Sequence, residues 1–399
     1  MSQNNTTRSA IVKLQDHRGS VQEWSSADIG SGDLLSETTR LQYQRCVRYQ
    51  STADSDERCI VVPQGIKKIG ARAFVGNNEL EELVLQEGIQ AIGRQACSAC
   101  TSLCRAYFSR GLREIGTGAF EYCTLEQITL PEGLQRIGKN AFQACTVLPE
   151  IRIPDSVSAI GASAFDYCLA LKTAVIGAGT VRIGRGAFAM GLRLNRFEVS
   201  PQNPAFCDVG GMLLSRDKTR LVCCPPVIGE EQQIPESVLR IEDLACSLSA
   251  WKEVRIPDSV TVIGARAFVE CENLQKIVIG KNVAAIGAGA FINCKRLTRI
   301  EVSPENPFFC TLDGVLFTKD KSRLLCYPAG KRRTSYQIPQ GVDDHCLFCV
   351  LFLHASFLYF NPGGSARNWG FRFFLVSKPV LSAATAKPDD GWRADLPRL

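Results

Sequence analysis

Histidine is nearly missing from this chain. Its 399 residues include only three, His17, His345 and His354. Nothing between residues 18 and 344 can therefore supply the imidazole of a Ser-His-Asp triad or a histidine metal site. Long apolar runs are also scarce. The best, Cys346 to Phe360, contains His354 and falls short of the ~20 residues needed to span a bilayer. Basic blocks are absent apart from Lys331-Arg332-Arg333, and a formal net charge of +6 is small for the length. That run reads as a solvated turn, so nucleic acid is not an expected partner. The first residues, MSQNNTTRSAIVKLQDHRGS, lack a signal-peptide apolar core and cleavage site. This reading places the chain in the cytoplasm, where thiols stay reduced, with a membrane or cell-surface location as the alternative.

Cysteine, by contrast, is abundant, with 18 copies, and its placement leads to the dominant feature. A phrase recurs: Ile-Gly, three residues, Phe, then often Cys three residues later. It stands as Ile115-Gly116…Phe120…Cys123, Ile137-Gly138…Phe142…Cys145 and Ile160-Gly161…Phe165…Cys168, and again at Ile69, Ile183, Ile263 and Ile286. Successive isoleucines 92, 115, 137, 160 and 183 lie 22 or 23 residues apart. A fixed period of this size is the mark of a solenoid, in which each unit buries its apolar face only against its neighbours.

One unit, residues 148–171, reads as follows. Ile151 and Ile153 alternate with Arg152 as in a half-buried strand. Pro154 ends it, and Pro-Asp-Ser is turn chemistry. Gly161 suits a bend or a close approach. Ala164, Phe165, Cys168 and Leu171 recur every three to four residues, which predicts a short helical turn and an α/β repeat. The seven motif phenylalanines are expected to form one internal file. Cys97 and Cys246 take the Phe position in two units, which predicts local underpacking.

The period breaks between Ile183 and Ile241. The extra segment, near 200–228, recurs 103 residues later near 303–331, with Asn203-Pro204 matching Asn306-Pro307 and Gly211 matching Gly314. Met212 to Val222 reads as strand, turn, strand, so each copy is expected to form a β-hairpin projecting from the stack. Partner contact and simple lengthening of one unit both remain open as its purpose.

The phrase Ile-x-Ile-Pro-x-x-Val-x-x-Ile-Gly-x-x-Ala-Phe-x-x-Cys-x-x-Leu resembles the BspA-like, or Treponema pallidum type, leucine-rich repeat. The resemblance runs from about Cys59 to Val342. It implies a right-handed leucine-rich-repeat solenoid with a parallel β-sheet on its concave face. It also implies protein-binding or adhesive roles in bacteria and unicellular eukaryotes.

Candidate chemistry within the units is sparse. Cys97-Ser-Ala-Cys100 has half a zinc-site spacing, but both residues fall in repeat slots, and no metal or cofactor is expected. Cys100, Cys123, Cys145 and Cys168 form a column in which disulfides or buried reduced thiols are the alternatives. Gly116-Thr-Gly118 and its counterparts never continue to Gly-Lys-Ser/Thr. No catalytic constellation is present. The candidate binding residues are the outward positions of the strands: Glu82 and Val84, Arg105 and Tyr107, Gln127 and Thr129, Glu150 and Arg152, Thr173 and Val175, Arg196 and Glu198, Glu253 and Arg255, Lys276 and Val278, and Arg299 and Glu301. Their neighbours point inward, so they must point outward. The expected function is a non-enzymatic scaffold for a protein partner. The alternative is a surface adhesin or receptor-like protein tethered by Cys346 to Phe360.

The chain divides into an N-terminal segment 1–57, expected to be disordered with a short helix near Leu35–Tyr49, a solenoid 58–342, and a tail 343–399. The tail has three readings: a membrane segment, a cap on the stack, or an artefact of the gene model.

Overall fold

A computed structural model of the chain describes residues 11–15, 21–25, 58–62, 65–229, 233–331, 335–337, 339–342, 344–345 and 357–359. Within the N-terminal segment, Ile11–Gln15 and Val21–Ser25 pair as antiparallel strands. The expected helix near Leu35–Tyr49 lies outside the described residues, as does most of the tail. Two compact units are present. The larger, 1–332 with 340–353, holds the solenoid; the smaller contains Ser335–Gln337 paired in parallel with Phe357–Tyr359.

The solenoid has about ten coils. Each contributes a longer strand and a two-residue strand, and both kinds pair in parallel with their equivalents in adjacent coils. The longer strands make three ladders: Cys59–Val62 to Gln127–Ile128, Glu150–Ile153 to Arg196–Val199, and Glu253–Arg255 to Arg299–Val302. The short strands, such as Arg136–Ile137 and Ala159–Ile160, run along a second side. Alternation holds throughout: Ile151 and Ile153 are buried while Glu150 and Arg152 are exposed.

The expected helical turn is not there, and among the described residues no helix occurs. The reason lies in the backbone. Two residues four apart in each coil adopt left-handed φ, for example Asn140 (57°) with Ala144 (57°), and Ser163 (53°) with Tyr167 (58°). A left-handed residue reverses the peptide, so alternate N–H groups leave the coil. Those of Asn140, Phe142 and Ala144 donate to the carbonyls of Ala162, Ala164 and Asp166 in the next coil. Those of Ala141, Gln143 and Cys145 stay local, each bonding the carbonyl three residues back. Two tight turns reproduce the apolar spacing of a helix while tying coil to coil, so the fold is a strand-and-turn solenoid instead of an α/β repeat.

Phenylalanines fill the interior in file. The rings of Phe120, Phe142, Phe165 and Phe188 stack with centroids 5.5, 5.3 and 5.2 Å apart and are nearly parallel. Phe268 and Phe291 repeat the arrangement at 5.8 Å. Each buried ring contributes about 1.5–3 kcal/mol. The Phe slots holding Cys97 and Cys246 lie near added bulk. Phe108 tilts against Phe120 at 5.6 Å, and the coil of Cys246 carries Trp251, the largest fully buried side chain. Both cysteines are fully covered. The repeat glycine is fixed by close approach: a Cβ on Gly161 would sit 2.4 Å from backbone atoms of Gly138 and Lys139.

The two insertions, 103 residues apart, are built into the stack. Phe206–Val209 pairs antiparallel with Met212–Ser215, which pairs antiparallel with Arg220–Cys223. Arg220–Cys223 then runs parallel to Arg240–Ile241, taking a place in the short-strand ladder. Met212–Ser215 is buried along its length, so this segment is integrated, in contrast to the expected projection. Asn203 latches it. Its amide donates to the carbonyls of Gly177 (2.7 Å) and Thr180 (3.0 Å) and accepts from the N–H groups of Ala205 and Phe206. Asn306 repeats the same four bonds in the second copy.

Candidate binding face and its cleft

Along the longer strands the two outward positions of each coil line up by register. Glu82, Arg105 and Gln127 face one another across the first ladder, as do Glu150, Thr173 and Arg196 in the second and Glu253, Lys276 and Arg299 in the third. A second row runs Arg152, Val175, Glu198 and Arg255, Val278, Glu301. Every one of these residues is exposed or half-buried. Thr129 is exposed as well but lies just beyond the two-residue strand Gln127–Ile128. The candidate residues therefore share one face, in three groups.

The first break between groups has a specific cause. One backbone N–H per coil, just ahead of the strand, donates to the preceding coil: Cys104 to Glu81, Glu126 to Cys104, Lys172 to Pro149 and Asn195 to Lys172. The equivalent residue between Glu126 and Lys172 is Pro149, which has no N–H. The strands Gln127–Ile128 and Glu150–Ile153 accordingly do not pair. Two adjoining depressions of about 770 Å³ and 750 Å³ lie at this discontinuity, sharing Gln127, Thr129, Leu130 and Glu132. Arg105, Tyr107 and Arg110 line one side, and Glu150, Arg152 and Lys172 the other. Sequence reading missed Arg110, Glu132 and Lys172 because they lie outside the strands. The available signal was Pro149 itself, standing where other coils offer a ladder donor.

Charges on the face are partly paired. Arg105 forms an ion pair with Glu82, and that hydrogen-bonded carboxylate strengthens its hold on the proton. Arg196 pairs with Glu198 at 2.8 Å, Arg299 with Glu301 at 2.8 Å, and Lys276 reaches both Glu253 (3.1 Å) and Glu301 (3.3 Å). Among the described residues no ion pair involves Glu150, Arg152 or Arg255. Tyr107 is 51% exposed. A surface of Arg and Tyr beside acidic groups, with a cleft at its centre, suits a polypeptide.

The repeat-slot cysteines are buried on the turn side, whereas Cys59 is exposed in register with Glu82. Each slot thiol donates to the carbonyl of the Phe-slot residue in the preceding coil: Cys123 to Cys97 (3.0 Å), Cys145 to Phe120 (3.2 Å) and Cys168 to Phe142 (3.3 Å). Burial pushes the Cys145 thiol up to about 12 and raises Cys168 likewise. Every described cysteine is free. Cys97 and Cys100 are both fully buried, and the Cys100 thiol donates to the Phe74 carbonyl. Among the described residues no group of three or more His, Cys, Asp or Glu is placed to hold a metal. Cys346 and Cys349 lie outside those residues. Gly116 is used for coil packing, where a Cβ would meet the Ile92 carbonyl at 2.7 Å. Lys331 pairs with Asp313 at 3.3 Å.

One buried acid departs from the pattern. Asp166, on the turn side, is 7% exposed. Gln143 donates to one of its oxygens at 3.3 Å, and the other has no partner. Burial pushes its carboxyl up to about 6.

Parallel ladders on two sides, a turn-built third side and a phenylalanine file define a leucine-rich-repeat solenoid. The chain belongs to the BspA type leucine-rich repeat family, which it matches in six copies over residues 67–195 and 230–311, more than half its length. It is similar in fold to a leucine-rich repeat protein of Eubacterium ventriosum (22% identity, TM-score 0.61, 73% of this chain and 81% of that one). It is also similar to a leucine rich cell surface protein of Faecalibacterium prausnitzii (25% identity, TM-score 0.61, 77% and 79%). The pneumococcal vaccine antigen PcpA is a third (18% identity, TM-score 0.58, 77% and 82%). No curated protein matches the chain. Proteins of this family are typically interaction scaffolds without catalytic activity.

Proposed function

We propose that the chain is a non-enzymatic scaffold that holds a protein partner on its outward strand face, centred on the cleft at the Pro149 discontinuity. The observation that carries this reading is the gathering of Arg105, Tyr107, Gln127, Glu150 and Arg152 around two adjoining depressions, which share Gln127, on an otherwise regular face. Arg and Tyr supply large contact area and directional hydrogen bonds, which dominate binding energy at protein interfaces. Free, buried thiols with raised pKa support a reducing compartment, and we place the protein in the cytoplasm on that ground.

A second reading, a cell-surface adhesin, is favoured by the likeness to the F. prausnitzii cell surface protein. No helix among the described residues is long and apolar enough to cross a membrane, and the proposed tether, Cys346 to Phe360, lies almost wholly outside them. Protease treatment of intact cells separates the two readings: a protected chain supports the first, a digested one the second.

Site-specific photo-crosslinking tests the face. A photoreactive residue at Tyr107 or Arg152 is expected to capture a polypeptide in cells, and the same residue at Tyr122 or Arg185 on the turn side is not. Capture from the turn side alone would contradict the assignment.

A further inference from the structure

The second and third strand groups are copies. Residues 150–199 and 253–302 align without a gap at an offset of 103. Exposed positions away from the strand face differ: Tyr167 against Glu270, Leu169 against Glu272, Arg182 against Ala285, Arg185 against Ala288 and Leu192 against Lys295. Their strand faces scarcely differ. Glu150, Arg152, Val175, Arg196 and Glu198 are matched by Glu253, Arg255, Val278, Arg299 and Glu301, and only Thr173 is replaced, by Lys276. Most exposed positions away from this face have diverged, Arg193 with Arg296 and Asp155 with Asp258 being kept, whereas five of the six positions on the face are unchanged. Fold stability does not account for the retention, since exposed ion pairs contribute little, and Glu150, Arg152 and Arg255 pair with nothing on the described chain.

The retained charges form a checkerboard. In each patch one row runs from acid to base and the other from base to acid across three strands. Such a pattern is complementary to itself. A second copy turned over about an axis parallel to the strands, running in the reverse direction, sets Glu150 against Arg299, Arg152 against Glu301, Arg196 against Glu253 and Glu198 against Arg255. Val175 then meets Val278. The two-fold axis repeats every pair, as an isologous contact requires.

We infer that the partner of this part of the face is a second copy of the chain, docked antiparallel, first patch on second. This inference rests on the proposal that the strand face is a binding surface. Each patch spans only three strands at ~4.8 Å spacing, below a standard interface. Two patches acting together provide the attachment, and the association is expected to be no tighter than roughly micromolar.

Sedimentation velocity of the full chain over a roughly hundredfold concentration range tests this. A monomer–dimer equilibrium is expected, weakening at least about tenfold as salt rises from about 0.01 M to about 1 M and the screening length falls from roughly 30 Å to 3 Å. The double variants Arg152→Glu/Arg255→Glu and Glu198→Arg/Glu301→Arg should each be monomeric, because each faces itself with like charges. Their mixture restores acid against base at every facing charged position and should dimerise as the parent does. A parent chain that stays monomeric, variants that dimerise unaided, or a mixture that stays monomeric would each overturn the inference. A monomeric parent leaves the binding-face proposal standing on its own crosslinking test.

Discussion

The coils before Pro149 and the duplicated coils after it share an interior and differ in their faces. Inside, Phe120 and Phe142 stack as Phe268 and Phe291 do, and Cys145 bonds a preceding carbonyl as Cys294 does. Outside, the first ladder presents Val61, Val84 and Tyr107 in the row where the later ladders present Arg, Val and Glu. Packing constrains the interior tightly, because a Cβ or a lost ring is felt by both neighbouring coils. The face is free to vary, so a face pattern kept through duplication carries information that the interior does not.

Breaking the shared interior should have the largest effect. Phe142→Ala removes a ring stacked on both sides and should cost about 3–5 kcal/mol. Phe291→Ala removes a ring stacked on Phe268 at the wider spacing and should fall at the low end of that range. Urea unfolding of the two variants makes the comparison.

Asn203→Ala and Asn306→Ala come next. Each removes four hydrogen bonds at a buried site and should cost about 2–4 kcal/mol. The two costs should be nearly equal, since the networks match. A clear inequality in chemical-denaturation midpoints would show that the two insertions are not energetic equivalents.

Asp166 separates the copies, because Val269 stands at its place in the second. Burial raises its folded pKa to about 6, above the usual 3.8. The folded state then binds the proton more tightly than the unfolded one, so this contribution is fully present below about pH 4. It is lost as pH rises through 6, amounting to about 1–3 kcal/mol. Asp166→Asn should flatten that part of the stability–pH profile between pH 4 and 7 and stabilise the protein at neutral pH. A profile unchanged by the substitution would remove Asp166 from the account.

Much of this organisation was legible in the residues. The Ile-Gly period marked the coils, alternation at Ile151-Arg152-Ile153 assigned inward and outward positions, and the Phe file followed from the spacing. The turn side was misread because Ala164, Phe165, Cys168 and Leu171 carry a helical spacing that two left-handed turns also satisfy. Only the hydrogen bonds between coils distinguish them, and those depend on neighbours a full period away. The insertions were legible as strands, while their place in the short-strand ladder depended on Leu221 meeting Ile241 across the stack. The cleft was missed for a related reason: Pro149 matters through the donor it withholds from Glu126.

The smallest stability effects belong to the face. Arg152→Ala and Arg255→Ala should each change the unfolding free energy by less than about 0.5 kcal/mol. Equilibrium unfolding beside the parent chain checks this, and a larger loss would mean these arginines serve the fold.

The central claim is that coil packing and the strand face are separable, the first holding the molecule together and the second gripping something outside it. The most direct measurement takes one preparation of Arg152→Glu/Arg255→Glu through both urea unfolding and sedimentation velocity. The account predicts a midpoint equal to the parent's at protein concentrations too low for the parent to dimerise, and dimerisation abolished at higher ones. A lowered midpoint with dimerisation intact would contradict it.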